Sequence, residues 1–243
     1  MNTLKIEDRD DRMVVMLHRP AQRNAINAEM IAELHEVCAA LEATPKPLLL
    51  TGEGEHFAGG ADIGELRERG RDEAFAGINR TLFDRIAKLS LPTVAAVSGY
   101  ALGGGAELSY ACDLRIATET AVFGNPEPGL GIMAAAGASY RLPELIGTSV
   151  AKQVLLGGRN LDAATALRCG LVMDVVAPGE HVAAAHKVID RITRSAPLAL
   201  KLTKIIVDAP GSHPFADDIA QAVLFESSDK HDRMTAFLET KKK

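Results

Sequence analysis

Residues 89–106 constrain this chain more than any other stretch. They carry no charge, yet Pro92, Gly99 and three consecutive glycines, Gly103, Gly104 and Gly105, interrupt them. Those breakers exclude a membrane-crossing helix. The spacing predicts instead a buried strand over Thr93–Val97, a turn, and a helix that opens on the glycines. A second glycine-rich loop, residues 52–62, follows the apolar run 48–51, which also reads as a buried strand. With so few functional side chains in either loop, the backbone itself must be the working part.

Elsewhere short apolar runs alternate with helical patterns. Met13–Leu17 reads as a strand. Asn27 is placed to cap a helix carrying Met30, Ile31, Leu34, Val37, Cys38 and Leu41 on one face, ended by Pro45 and Pro47. Helices are expected around 65–71, 79–89 and 163–168, the last capped by Asp162, and strands at 114–117, 121–123 and 171–176. From residue 180 only helices follow, over 180–194, 197–209, 214–228 and 231–240, with 241–243 a frayed, solvated end. This alternation argues for an α/β core over 1–190 and a helical region over 191–243. The apolar faces of that region (Leu198, Leu202, Ile205, Ile206; Ile219, Val223, Leu224) must cover the same core or a neighbouring subunit.

At 243 residues, 47% of them hydrophobic, the chain can bury a core that needs neither disulfide nor structural metal. Its three cysteines, Cys38, Cys112 and Cys169, are scattered without C-x-x-C spacing, which fits a reducing compartment. The seven histidines form no H-E-x-x-H cluster, so no metal site is expected. The first residues are too polar and acidic for a signal or transit peptide. A cytoplasmic protein without membrane attachment is the expectation. The net charge of −5 argues against a nucleic-acid partner.

The loop at Gly99-x-x-x-Gly103-Gly104-Gly105 matches neither G-x-G-x-x-G nor G-x-x-x-x-G-K-[ST]. Glycines at a helix start leave N–H groups pointing outward, backed by the helix dipole, which suits a developing negative charge. A further N–H from the loop 57–62 would complete an oxyanion hole. No G-x-S-x-G elbow supplies a nucleophile, and no cysteine stands in a recognisable motif with histidine. Carboxylates remain. Glu107 lies in the first turn of the glycine-started helix, where it also suits simple complementation of the dipole. Glu127 sits between two prolines, with no other charge from 121 to 140. Burial would raise its pKa and fit it for proton transfer near neutrality.

Taken together, the segments Arg19-Pro20, Arg23-Asn24-Ala25-Ile26-Asn27, Phe57-Ala58-Gly59-Gly60-Ala61-Asp62-Ile63, Gly99 through Leu108, Cys112 through Ala117 and Phe123-Gly124-Asn125-Pro126-Glu127 resemble the crotonase (enoyl-CoA hydratase/isomerase) superfamily. The likeness runs through the whole chain in order, onward through Arg141-Leu142, 155–159, 163–172 and 196–199. It implies an α/β spiral of ββα units, of the kind shared with ClpP, and a C-terminal helical region that mediates a homotrimer, or a hexamer built as a dimer of trimers. It implies an oxyanion hole from the amides of Ala61 and Gly104, holding the thioester oxygen of a coenzyme A ester. The matching substrate-binding positions are Ala25, Ile26, Asp62, Ile63 and Ala135, with the backbone of Ala25 and Ile26 against the adenine. Hydratases of the superfamily carry two glutamates, at the positions of Glu107 and Glu127. The expected reaction is then addition of water to a trans-2-enoyl-CoA, as in fatty-acid β-oxidation. No separate cofactor is implied, since coenzyme A belongs to the substrate.

Water addition to a conjugated C=C needs one group to activate water and one to protonate the α-carbon. Glu107 is assigned to the water and Glu127 to the carbon. The chain departs from the usual pattern at Ala134-Ala135-Ala136-Gly137-Ala138, where relatives have a glycine-rich segment, and at Gly64, where many have a lysine. The first departure keeps a Δ3,Δ2-enoyl-CoA isomerase open as an alternative. A non-catalytic acyl-CoA-binding protein is a third reading. Leu66, Ile78, Leu82, Ile132 and Met133 are candidates for an acyl channel, with core packing the safer reading for any one of them. Lys230 and Lys241 to Lys243 are candidates for phosphate contacts, although a terminal lysine run is usually just solvated.

Overall fold

A computed structural model describes residues 1–240. β1 (Leu4–Asp8) folds back on β2 (Met13–Leu17), and a short turn leads into α1 (Ala28–Ala43). β3 (Leu48–Gly52) precedes three short helices, α2 (Ile63–Glu68), α3 (Arg71–Ala76) and α4 (Ile78–Ala87). β4 (Thr93–Val97) and β5 (Tyr100–Leu102) feed α5 (Gly104–Tyr110). β6 (Leu114–Thr118) and β7 (Val122–Gly124) lead to α6 (Ala138–Ile146) and α7 (Thr148–Leu155). Then come β8 (Leu161–Asp162), α8 (Ala163–Arg168), β9 (Asp174–Val176) and four helices, α9 (His181–Ile192), α10 (Pro197–Val207), α11 (Phe215–Phe225) and α12 (Ser228–Thr240).

The large sheet runs β1-β2-β3-β4-β6-β9 and is parallel apart from β1. Its central strands are apolar at nearly every position because both faces are covered. Leu48, Leu50, Ala95 and Val97 point into the main core with α1 and α4, whereas Leu49, Val94, Ala96 and Ile116 pack against Ala185, Val188 and Ile189 of α9. That is the period-2 alternation of a pleated sheet, apolar on each side.

A small sheet, β5-β7-β8, stands beside the large one. Each passage of the chain gives one strand to the large sheet, a second strand to the small one, and then helix. β4, β5 and α5 make one such passage; β6, β7 and α6 make the next. In the passage before them, Ala58 alone bridges to Ala101 of β5 in place of a strand. This stacking of ββα turns brings the loop after β3 directly against the start of α5.

Local chemistry explains several departures from the sequence expectation. The expected helix over 65–71 is two helices, because Asp62 caps α2 through the N–H groups of Gly64 and Glu65, and Gly70 starts α3. The strand expected at 171–176 is confined to Asp174–Val176, since the Leu171 and Val172 amides donate to Ala166 O and close α8. β1 and β5 were not anticipated; three residues of β5 intervene before the glycine-started helix. Nor were α6 and α7, whose pattern is broken by Pro143 and Gly147.

Arg115 explains its own place in the Cys112–Ala117 segment. Buried, it donates to the carbonyls of Ser109, Cys112, Asp113 and Leu171, so it satisfies the otherwise orphaned end of α5. α10, α11 and α12 bury no residue, and the Lys204–Asp113 ion pair (2.7 Å) ties α10 to the core. All three cysteines are free thiols. Among the described residues, no helix is long and apolar enough to cross a membrane.

α5 is buried along its whole length and can approach the loop after β3 only because Gly105 lacks a side chain. A Cβ there would stand 2.3 Å from the Ala58 carbonyl oxygen. Gly105→Ala should therefore lower stability by roughly 1–3 kcal/mol through overpacking. A thermal melt reads this, and an unchanged Tm would contradict the packing described.

Candidate active site

A cavity of about 550 Å³ opens where the loop 57–62, the start of α5, the turn after β7 and helices α2 to α4 meet. Its loop wall is held by backbone pairing. Gly59 N–H donates to Arg23 O, Ile26 N–H to Gly60 O, and Asp62 N–H to Ile26 O. Asn24 secures this arrangement from the preceding turn: it is fully buried, and its side-chain amide donates to the carbonyls of Glu53 and His56. Asn24 has a positive φ of 55°, a conformation that asparagine tolerates better than most residues. The Arg19 to Asn27 segment is thus a clamp that fixes the course of the glycine loop.

Those pairings use the carbonyl of Gly60 and the N–H of Asp62 and leave the N–H of Ala61 without an acceptor among the described residues. Gly104, the first residue of α5, has no intrahelical acceptor for its amide either. A Cβ on Gly104 would lie 3.4 Å from the Ala61 nitrogen, so the two amides border one small space. Gly103 must turn with φ 50° and ψ −125° to aim the helix start there, a combination that a side chain would resist.

Both glutamates line the same cavity. Glu107 is buried, and its Oε1 accepts the N–H groups of Ala136 (2.8 Å) and Ala138 (3.1 Å). Burial pushes its carboxyl up to about 7; the two amide bonds and Arg141 pull against that shift, and the negative charge of Glu127 adds to it. Glu127 begins the turn Glu127–Leu130 and is also buried. Burial raises its pKa above the usual carboxyl range, opposed by hydrogen bonding from its own backbone and from Asn125. Asn125 donates weakly through Nδ2 to Glu127 Oε1 (3.4 Å), and its Oδ1 accepts from the Tyr110 hydroxyl (3.3 Å), whereas Glu127 Oε2 has no partner among the described residues. A buried acid with one unengaged oxygen beside a cavity is equipped to give or take a proton.

The structure thus gathers Ala61, Gly104, Glu107, Glu127, Ile63 and Ala135 around one space. Ala25, Ile26 and Asp62 stand outside that lining. The Ile26 amide and carbonyl are engaged with the loop, the Ala25 carbonyl accepts from Arg19 (2.6 Å), and the Asp62 carboxylate caps α2 and pairs with Arg19 (3.1 Å). Leu66, Ile78, Ile132 and Met133 line the cavity, but Leu82 is a core residue with no exposure. It faces inward from α4 into the main core, so of the two readings open for it the structure gives core packing and not an acyl channel. Lys230 lies over the Phe225 ring, 5.0 Å from its centroid; residues 241–243 lie outside the described residues. Sequence reasoning did not single out Tyr110, Asn125, Arg69 or Asn79. Asn125 stands within the Phe123–Glu127 motif, two residues before the glutamate it touches, but nothing in the spacing of the others links them to the site.

A model of the enoyl-CoA hydratase/isomerase family matches residues 10–243. The chain belongs to that family. It is 38% identical to the short-chain-enoyl-CoA hydratase of Clostridium acetobutylicum, over 100% of this chain and 97% of the relative. It is 36% identical to the crotonyl-CoA hydratase of Syntrophomonas wolfei, over 98% and 95%. A solved enoyl-CoA hydratase subunit I from Geobacillus kaustophilus superposes with a TM-score of 0.92 at 33% identity, covering 98% of this chain and 95% of that one. The fold is the crotonase fold.

The raised pKa of Glu107 has a consequence for stability. The folded protein keeps this proton up to about pH 7, whereas an unfolded chain loses it in the ordinary carboxyl range. Stability contributed by the proton is therefore lost as pH rises from that range through about 7. Glu107→Gln keeps an acceptor for Ala136 and Ala138 but cannot ionise. The variant should be more stable than the parent above pH 7 by up to about 3 kcal/mol, with the advantage gone near pH 4. Chemical denaturation across pH measures this, and a pH-independent difference would refute the shift.

Proposed function

We propose that this chain is an enoyl-CoA hydratase, adding water across C2=C3 of a trans-2-enoyl-CoA to give the 3-hydroxyacyl-CoA. One observation carries the reading: two buried carboxyls with raised pKa values share a cavity with two backbone amides that have no protein acceptor. The names of the relatives from Clostridium acetobutylicum and Syntrophomonas wolfei agree with it.

In this reading the Ala61 and Gly104 amides bind the thioester oxygen and stabilise the negative charge that reaches it as the C3–O bond forms. Glu107, its Oε1 anchored by two amides, presents Oε2 to water and takes a proton as the oxygen attacks C3. Glu127 delivers a proton from its carboxyl to C2, and the electron pair returns from the enolate oxygen. The net change is one water added, and exchange of a proton between the carboxyls and solvent resets the site. Coenzyme A enters as part of the substrate, and the chemistry calls on no further cofactor. The Ala134–Ala138 departure does not weaken this reading, because Ala136 and Ala138 contribute backbone amides and hold Glu107 as any residue there would.

Purified protein should consume the conjugated thioester absorbance of crotonyl-CoA and of longer enoyl-CoAs. Glu107→Gln and Glu127→Gln should each lower kcat on the order of 10²–10⁴-fold, the usual contribution of a general acid or base. No turnover across a chain-length series would overturn the assignment. Hydration that survives loss of Glu107 would place the water elsewhere, whereas double-bond migration that survives it would favour the isomerase.

The assembly proposed is a homotrimer or hexamer joined through the C-terminal helices. α10 to α12 bury no residue within the chain, yet expose Leu198, Ile205, Phe215, Ile219, Val223 and Leu238. That much apolar surface on one region fits a subunit interface. Light scattering should find three or six chains per particle, and Ile219→Glu with Val223→Glu should dissociate it. A monomeric parent protein would refute this assembly.

A further inference from the structure

The mechanism above gives no role to Asn79, one of several polar side chains on the cavity wall. Asn79 lies in the first turn of α4, on the cavity wall and half-buried. Its Oδ1 accepts from Arg69 Nη1 at 2.9 Å. A guanidinium only donates, so the atom facing Arg69 must be the amide oxygen and Nδ2 must be the opposite end. Nδ2 lies 3.7 Å from the position a Cβ on Gly104 would occupy, the same point that is 3.4 Å from the Ala61 nitrogen. Its hydrogens have no acceptor among the described residues, and neither polar atom of the side chain is spent on capping a helix.

Arg69 is held from behind. Its guanidinium lies 3.9 Å from Glu65, and Glu65 Oε2 accepts the N–H of Ala28, the first residue of α1. The side chain of Arg69 is only 18% exposed. A line of contacts from α1 through Glu65 and Arg69 therefore sets the direction of the Asn79 amide, and that direction is toward the space between the Ala61 and Gly104 amides.

We infer that Asn79 is a third hydrogen-bond donor to the thioester oxygen, with Arg69 as the residue that orients it. The inference rests on the hydratase reading and deepens it at the same site. A side-chain amide at this point adds a neutral donor where charge develops, and neutrality matters there. An aspartate at position 79 would bring negative charge against the enolate oxygen, and a leucine would remove the donor at similar size.

The test separates this inference from the reading on which it rests. Crotonyl-CoA turnover and the absorption of bound 2,4-hexadienoyl-CoA are compared in the parent protein, Asn79→Leu, Asn79→Asp and Arg69→Leu. Hydrogen bonds to the carbonyl polarise a conjugated thioester and move its absorption to longer wavelength, so the bound dienoyl ester reports the donors without turnover. Asn79→Leu should lower kcat by about tenfold or more, toward the 10²–10³-fold cost of losing an oxyanion donor, with KM changed far less. It should also shrink the red shift of the bound ester. Asn79→Asp should be slower than Asn79→Leu, and Arg69→Leu should show part of both losses. A purely structural Asn79 would alter Tm and leave the red shift intact. An unchanged kcat and red shift in Asn79→Leu overturns the inference while leaving the hydratase reading in place. A parent protein that shifts the ester without hydrating crotonyl-CoA overturns that reading, and the variants' red shift still decides the role of Asn79. No shift in the parent protein overturns the inference, and crotonyl-CoA turnover still decides the hydratase reading.

Discussion

The close approach of α5 to the loop after β3 governs the rest of the site. Gly105 lies so near the Ala58 carbonyl that no side chain fits between them, and a Cβ on Gly104 would lie 3.4 Å from the Ala61 nitrogen. A backbone amide can serve as a donor to a ligand only if its own chain has not already used it. Here the bridge between Ile26 and Ala61 uses the Gly60 carbonyl and the Asp62 N–H and spares the N–H of Ala61. Two fixed donors on rigid elements need no reorganisation when charge appears, which is why such a hole is effective in a cavity poor in water.

The two carboxyls follow from the same packing. Glu107 is carried on the helix that supplies the Gly104 amide, one turn further on, so helix geometry alone keeps it near the hole. Glu127 arrives from the next ββα passage, and Gly103 packs against it; a Cβ at Gly103 would lie 3.2 Å from Oε1. Neither acid has a cation within hydrogen-bond reach. Burial of a charge without a salt bridge is costly, and it raises the pKa of both acids above the ordinary carboxyl range. The same property that weakens the fold above neutral pH prepares the acids for proton transfer.

Polar support around the cavity comes from side chains that are distant in sequence. Tyr110 and Asn125 stand behind Glu127, Ala136 and Ala138 behind Glu107, and Arg69 behind Asn79. Each of these contacts joins a residue near the cavity to an element whose position is set by the main core. Leu66, Ile78, Ile132 and Met133 line the same cavity from segments that pack less deeply than the glycine loops.

Much of the architecture was legible in the residues alone. Apolar runs at Met13–Leu17 and Thr93–Val97 mark central strands because both sheet faces are covered, and Asn27 and Asp162 cap their helices as their side chains require. The glycine loops and an acid isolated among uncharged residues pointed to amides and carboxyls as the chemistry. Strand β5, helices α6 and α7 and the split of α2 from α3 were not legible, since short elements interrupted by glycine or proline carry too little periodicity. Nor was it legible which of the apolar candidates, Leu82 among them, pack in the core and which line the cavity. What the sequence by itself determined was the inventory: which amides are bare, which acids lack neighbouring charge, which runs must be buried. Only the tertiary structure decided that Ala61 faces Gly104, that Glu107 and Glu127 share one cavity, and that Asn79 points its amide there. Those are distances between segments far apart along the chain, and they exist only once the ββα turns have stacked.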